Sequence, residues 1–103
     1  MGVSAGGQSA PHVLIIHEVA DYAAWKLVFD DASDIRRQAG EISYQLLKSE
    51  SDANRIVHFS QWRTLAAARA FFESPRLEEI RRRAGVKAPE FLYLEALESG
   101  VLE

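Results

Sequence analysis

Apolar and polar positions along this chain follow two rhythms, one of period two and one near 3.6, and the switches between them lay out its elements. His12 to Val19 (HVLIIHEV) is a nearly continuous apolar run whose β-branched residues, flanked by Pro11, predict a strand. Val13 and Ile15 share one face and Leu14 and Ile16 the other, so this strand should be covered twice. A half-exposed antiparallel strand would instead show one polar face. Asp21 is placed to cap a helix running to about Ala39, with Tyr22, Trp25, Val28, Phe29, Ala32 and Ile35 on one stripe. Asp30, Asp31, Asp34, Arg36 and Arg37 fall on its polar side, and Gly40 stands where a left-handed residue ends helices.

Period two returns at Ile42 to Ser49, with Tyr44 and Leu46 on one face and Leu47 on the other. Glu50 to Asn54 reads as a hairpin turn into a third strand carrying Ile56, Val57 and Phe59. In that strand His58 and Trp62 share a face with Ile56 and Ser60. Thr64 is positioned to cap a helix on which Leu65, Ala68 and Phe72 recur at helical spacing, and Ser74-Pro75 restarts the chain as a second helical piece to Ala84. That piece packs Leu77 and Ile80 and ends at Gly85. Lys87-Ala88-Pro89 reads as a connector, and Glu90 to Leu97 as a last strand, with Phe91, Tyr93 and Leu97 opposed to Leu92 and Leu94. The order β-α-β-β-α-β predicts an α+β, ferredoxin-like fold: a four-stranded antiparallel sheet with both helices on one face. The apolar second face then needs its own cover, most simply the same sheet of a second copy related by a two-fold axis.

At 103 residues the chain is sized for one domain, expected over residues 11–103 after a flexible Gly/Ser/Ala-rich lead-in over residues 1–10. The lead-in lacks the charged start and apolar core of a secretory signal, and no apolar run approaches the roughly 20 residues that span a bilayer. A net charge of −3 exerts no general pull on nucleic acid or anionic lipid. Absence of cysteine removes disulfides, thiolate chemistry and Cys-type zinc sites, and fits a cytoplasmic protein.

Four stretches together, LIIHEVADYAAW, the hairpin ending HFSQW, LAAARAFFESPRLEEI and the AGV before the last strand, resemble the antibiotic-biosynthesis-monooxygenase-like group of the dimeric α+β-barrel superfamily. The resemblance covers roughly residues 12–97. It implies a pocket between sheet and helices in each protomer, and a homodimer built from the opposite sheet faces. Activities in that superfamily include cofactor-free quinone-forming oxygenation, polyketide cyclisation, haem degradation and lactone isomerisation, so the fold does not select among them. Trp62 matches the Trp that ends the third strand and borders the pocket, and His17 lies near the polar position ending the first. The haem-degrading branch needs a His on the following helix, where this chain has Phe72, and no His follows His58.

His58 and His17 are the candidate catalytic residues, because an imidazole titrates near neutral pH and can take a proton from a phenol or an enolisable carbon. Against this stands a satisfied buried His for His58 and a partly exposed strand-end His for His17. Trp25 and Phe72 read first as core residues that can also line an apolar pocket, and Trp62 is a candidate substrate contact through the resemblance. Tyr44 and Tyr93 each offer a phenol, with the face of each open by one residue of register. His12, His17 and His58 have no metal-ligand spacing, and His12 and His17 lie on opposite strand faces, so no metal site is expected. Arg81-Arg82-Arg83, like Arg36-Arg37, reads as cations complementing the end of a helix. No phosphate loop, nucleophile elbow or dinucleotide fingerprint is present, and no cofactor is expected.

Two function classes remain. One is a cofactor-free enzyme acting on an aromatic or polyketide-like small molecule, as monooxygenase or cyclase. The other is a non-catalytic, small-molecule-binding or stress-related dimer. Oxygenation without a cofactor would have the electron-rich ring of the substrate react with O₂, whereas cyclisation needs a His or Tyr to move one proton.

Overall fold

The computed structural model describes residues 11–103; the lead-in expected over residues 1–10 lies outside the described residues. The elements run β1 (Pro11–Val19), α1 (Tyr22–Asp31), α2 (Ser33–Ala39), β2 (Glu41–Ser49), β3 (Asp52–Trp62), α3 (Leu65–Phe72), α4 (Pro75–Arg83) and β4 (Val86–Glu95). The strands form one antiparallel sheet in the order β2-β3-β1-β4. This is the ferredoxin-like α+β arrangement, with a helical pair in each crossover. Among the described residues no helix is long and apolar enough to cross a membrane.

The period-two pattern sorts the sheet into two unlike faces. Val13, Ile15, His17, Ile56, His58, Ser60 and Trp62 point one way and are buried. Leu14, Ile16, Val57 and Phe59 point the other way and are only half-buried. The register aligns Gln45, Phe59, Leu14 and Leu92 in one row across this second face, and Leu47, Val57 and Ile16 in the next. It is an apolar sheet face that no helix among the described residues covers.

Expected local signals hold at the caps. Asp21, Thr64 and Ser74 accept the backbone N–H of Ala24, Ala67 and Leu77, and Pro75 opens α4. Gly40 ends α2 at φ 127°, a backbone conformation that side-chain-bearing residues rarely adopt.

Four expectations are corrected. The helix expected from Asp21 to Ala39 is broken at Ala32, where the Ala32 N–H reaches back to Val28 and Asp30. Asp30 and Asp31 put negative charge at the end of α1, where the dipole disfavours it, while Asp34 suits the first turn of a new helix. The turn is shorter than Glu50 to Asn54, because Ser49 already faces Asp52. Lys87, Ala88 and Pro89 belong to β4 rather than to a connector. The register slips between Ile16 and Glu18, Ala88 takes φ 45°, and Pro89, which has no N–H to give, sits on an edge strand at this bulge. Leu97 lies past the end of β4 and is 98% exposed, so it packs on neither face.

Candidate functional site

Two apolar clusters fill the space between sheet and helices. One gathers Val13, Ile15, Trp62, Ala68 and Phe72; the other gathers Val19, Trp25, Phe29, Ile56 and Ala84. The polar residues of the buried sheet face fall where the clusters meet. Ile15 pairs with His58 and His17 with Ile56, so the two imidazoles lie diagonally across adjacent strands on one face. A cavity of about 60 Å³ opens there, with Ile15, Trp25, Phe29 and Phe72 among its apolar walls and His17, His58, Arg36 and Arg81 as its polar ones.

The helix side of the cavity is aromatic. Trp25 and Phe29 stack at 5.0 Å between ring centroids, and Trp25 leans on His17 at 5.3 Å. Phe29 meets His58 edge-on at 5.0 Å. Behind His58 runs a buried charged chain: its Nε2 lies 2.7 Å from Glu41 Oε2, and Arg36 Nη1 donates to Glu41 Oε1 at 3.1 Å. The Arg36 guanidinium also lies 3.7 Å over the ring of Phe29. An ionised Glu41 offers acceptors only, so the His58 proton sits on Nε2, and Nδ1 is the nitrogen left to accept one. A base oriented by a carboxylate that is itself fixed is the arrangement general-base chemistry uses.

His17 is poised differently. Burial lowers its pKa to about 3, and the charges of His58 and Arg81 push it the same way, so it stays neutral at physiological pH. A lowered imidazole pKa stabilises the fold above the unfolded value of 6.5, and that contribution is lost as pH falls from there towards 3. His17→Gln should therefore lose less of its melting temperature between neutral pH and about pH 4 than the wild type does. Equal losses would place the acid sensitivity elsewhere.

Residues 20–83 match the antibiotic biosynthesis monooxygenase family. The chain belongs to that family. Its fold is also that of SnoaB, a cofactor-independent oxygenase from Streptomyces nogalater, at 16% identity over 89% of this chain and 96% of that one, with a TM-score of 0.70. A monooxygenase from the ActVA-Orf6 gene of Streptomyces coelicolor, solved with the ligand nanaomycin D, shares it at 18% identity over 92% and 93% of the two chains, with a TM-score of 0.61. A dimeric ferredoxin-like protein from an uncultured marine organism follows at 12% identity over 95% and 96%, with a TM-score of 0.60. No curated protein matches the chain.

Within this family member the cavity gathers His17, His58, Trp25 and Phe72 from the expected set. It leaves out three others. Trp62 is fully buried behind Phe72, its indole N–H donated to Ser60 Oγ at 2.8 Å on its own strand. Tyr44 lies on the helix-facing side, edge-on to Phe29, but is half-exposed beyond the cavity wall. Tyr93 also faces the helices, where Arg69 covers its ring and its hydroxyl donates to Glu73 at 3.3 Å.

Arg36, Glu41 and Arg81 are the additions. Arg36 was expected on the solvated side of its helix, and is instead the buried residue of α2. Arg81 was expected only to complement the end of α4, yet it lines the cavity and lies over Phe91. Glu41 is turned inward by a bulge, since it pairs with Trp62 while Ser43 pairs with the next residue, Gln61. Among the described residues no group of three or more metal-ligating side chains stands together.

Proposed function

We propose that this family member is a homodimeric enzyme that acts without a cofactor on an aromatic or polyketide-like small molecule, as a monooxygenase or cyclase. One observation carries the reading: a cavity with aromatic walls into which two imidazoles converge, one of them held by a buried carboxylate. Aromatic walls hold a flat ring by stacking, and few but fixed polar groups orient its oxygens. His58 takes the proton of a phenol or enolisable carbon through Nδ1, while Glu41 stabilises the imidazolium that forms. The electron-rich anion so produced either reacts with O₂ or closes a ring. His17, neutral and beside the same space, is the partner that positions an oxygen of the substrate.

The uncovered apolar sheet face supports the homodimer, and so does the dimeric ferredoxin-like neighbour of the same fold. An obligate interface of this kind should bury well over about 1,200 Å² in total. The chemistry is tested by screening phenolic and anthrone-like compounds against the wild type and a His17→Ala, His58→Ala double variant. Turnover by the wild type should fall at least about 100-fold in the double variant, the scale of general acid–base catalysis. Turnover retained in full would remove both imidazoles from the chemistry.

A further inference from the structure

Among the described residues three buried side-chain nitrogens have no hydrogen-bond partner: His17 Nδ1, Arg36 Nε and Arg81 Nη1. All three belong to residues that line the one cavity. An unsatisfied buried donor or acceptor is unfavourable, and most are paired in folded proteins, so three such nitrogens around one small space point to something that enters it.

The charges around that space are one-sided. Its walls carry two guanidinium groups and two imidazoles, and no carboxylate. Glu41 neutralises Arg36 from behind, but among the described residues no salt bridge holds Arg81, whose cation lies over the face of Phe91 and is offset through space by Glu78. The positive field is felt inside, since Arg81 helps hold His17 neutral.

Size adds a second constraint. About 60 Å³ is far short of the several hundred needed for a whole drug-sized molecule. Val28, Ala32 and Ile80 are shared with an outer cleft of about 400 Å³, whose rim carries Arg76, Arg83 and Asp31. Together the two spaces fit a ligand with a small head and a flat, larger body.

We infer that the inner cavity is a receptor for an organic oxyanion, a carboxylate or ionised phenol, with Arg81 Nη1 and Arg36 Nε as its donors, the ring that bears the oxyanion against the aromatic walls and the rest of the ligand extending into the outer cleft. This rests on the reading that the cavity takes an aromatic ligand, and it names the class: acids rather than neutral ketones or alcohols.

Matched probes test it by calorimetry: naphthoate, an ionised nitronaphthol, and the neutral naphthalene methanol. Naphthoate should bind roughly tenfold or more tightly than the alcohol, the margin of a charge-assisted over a neutral hydrogen bond. The nitronaphthol arm tells whether a phenolate serves as well as a carboxylate. Arg81→Gln should erase the preference, and Arg81→Lys, which keeps the charge but not the fork, should retain part of it. Equal binding of acid and alcohol by the wild type, which needs no variant, would overturn the inference. If a neutral anthrone is nevertheless turned over in a His58-dependent way, the enzymatic reading survives that failure. No binding of any probe would remove both.

Discussion

Phe59→Asp is expected to abolish the dimer or unfold the chain. Phe59 sits on the sheet face away from the helices, in the row that also holds Leu14 and Leu92, with the ring of His12 stacked on it at 5.0 Å. In a single chain Phe59 is only half-buried, and Leu47 and Leu92 are 52% and 38% exposed. A second sheet packed there would make this row the dry centre of an interface. A carboxylate at that centre would have the His12 imidazole beside it, which offsets its charge only when protonated, and an uncompensated buried charge costs about 3–5 kcal/mol. Light scattering at micromolar concentration should give a dimer for the wild type and either a monomer or loss of structure for the variant. A variant that stays dimeric with unchanged melting would show that β3 does not meet a partner through this face. A wild-type monomer under the same conditions would dismiss the dimer altogether.

The strand faces on which that prediction rests were legible in the sequence, because strand alternation is strict and both faces carry apolar residues of distinct kinds. Val13, Ile15 and His17 fell on one side and Leu14 and Ile16 on the other, as the burial confirms. The faces of Tyr44 and Tyr93 became legible only from the register, which sets them opposite Ser60 and Val13 on the helix side.

What the reading of the sequence missed is the charged half of the site, and the causes are local. The stripe of Trp25, Phe29 and Ala32 continues at helical spacing to Arg36, four residues beyond Ala32 and seven beyond Phe29, so charge rather than position set Arg36 on the polar side. Alternation counted back from Tyr44 and Leu46 would put Glu41 on the uncovered face. The bulge between Glu41 and Ser43 inserts one residue and inverts that parity. Bulges leave little trace in a sequence; the one signal here is an acidic residue directly after the helix-ending Gly40, five positions beyond an arginine. Arg81 was hidden by a sound but incomplete argument, since a cation at the end of a helix can complement the dipole and line a cavity at once.

The buried chain of Arg36, Glu41 and His58 leads to the second large effect. Glu41→Ala should destabilise the protein by about 3–5 kcal/mol, a large share of the marginal stability of a small domain. The Arg36 side chain is 7% exposed, and removal of Glu41 leaves its charge without a counterion and His58 Nε2 without an acceptor. Glu41→Gln, which still offers one carbonyl oxygen, should lose less. Replacing both partners, as Arg36→Met with Glu41→Leu, should recover much of the Glu41→Ala loss, because an apolar pair of similar volume avoids the desolvation penalty that an ion pair carries. The urea midpoints of these variants separate a paired charge from mere packing: packing alone predicts that the double replacement is no better than the single one. Nitrogen chemical shifts of His58 supply the functional half of the test. In the wild type they should report the Nε2–H tautomer, and in Glu41→Ala a mixture of tautomers. A loss below about 1 kcal/mol with an unchanged tautomer would mean that Glu41 neither holds the fold together nor orients the base.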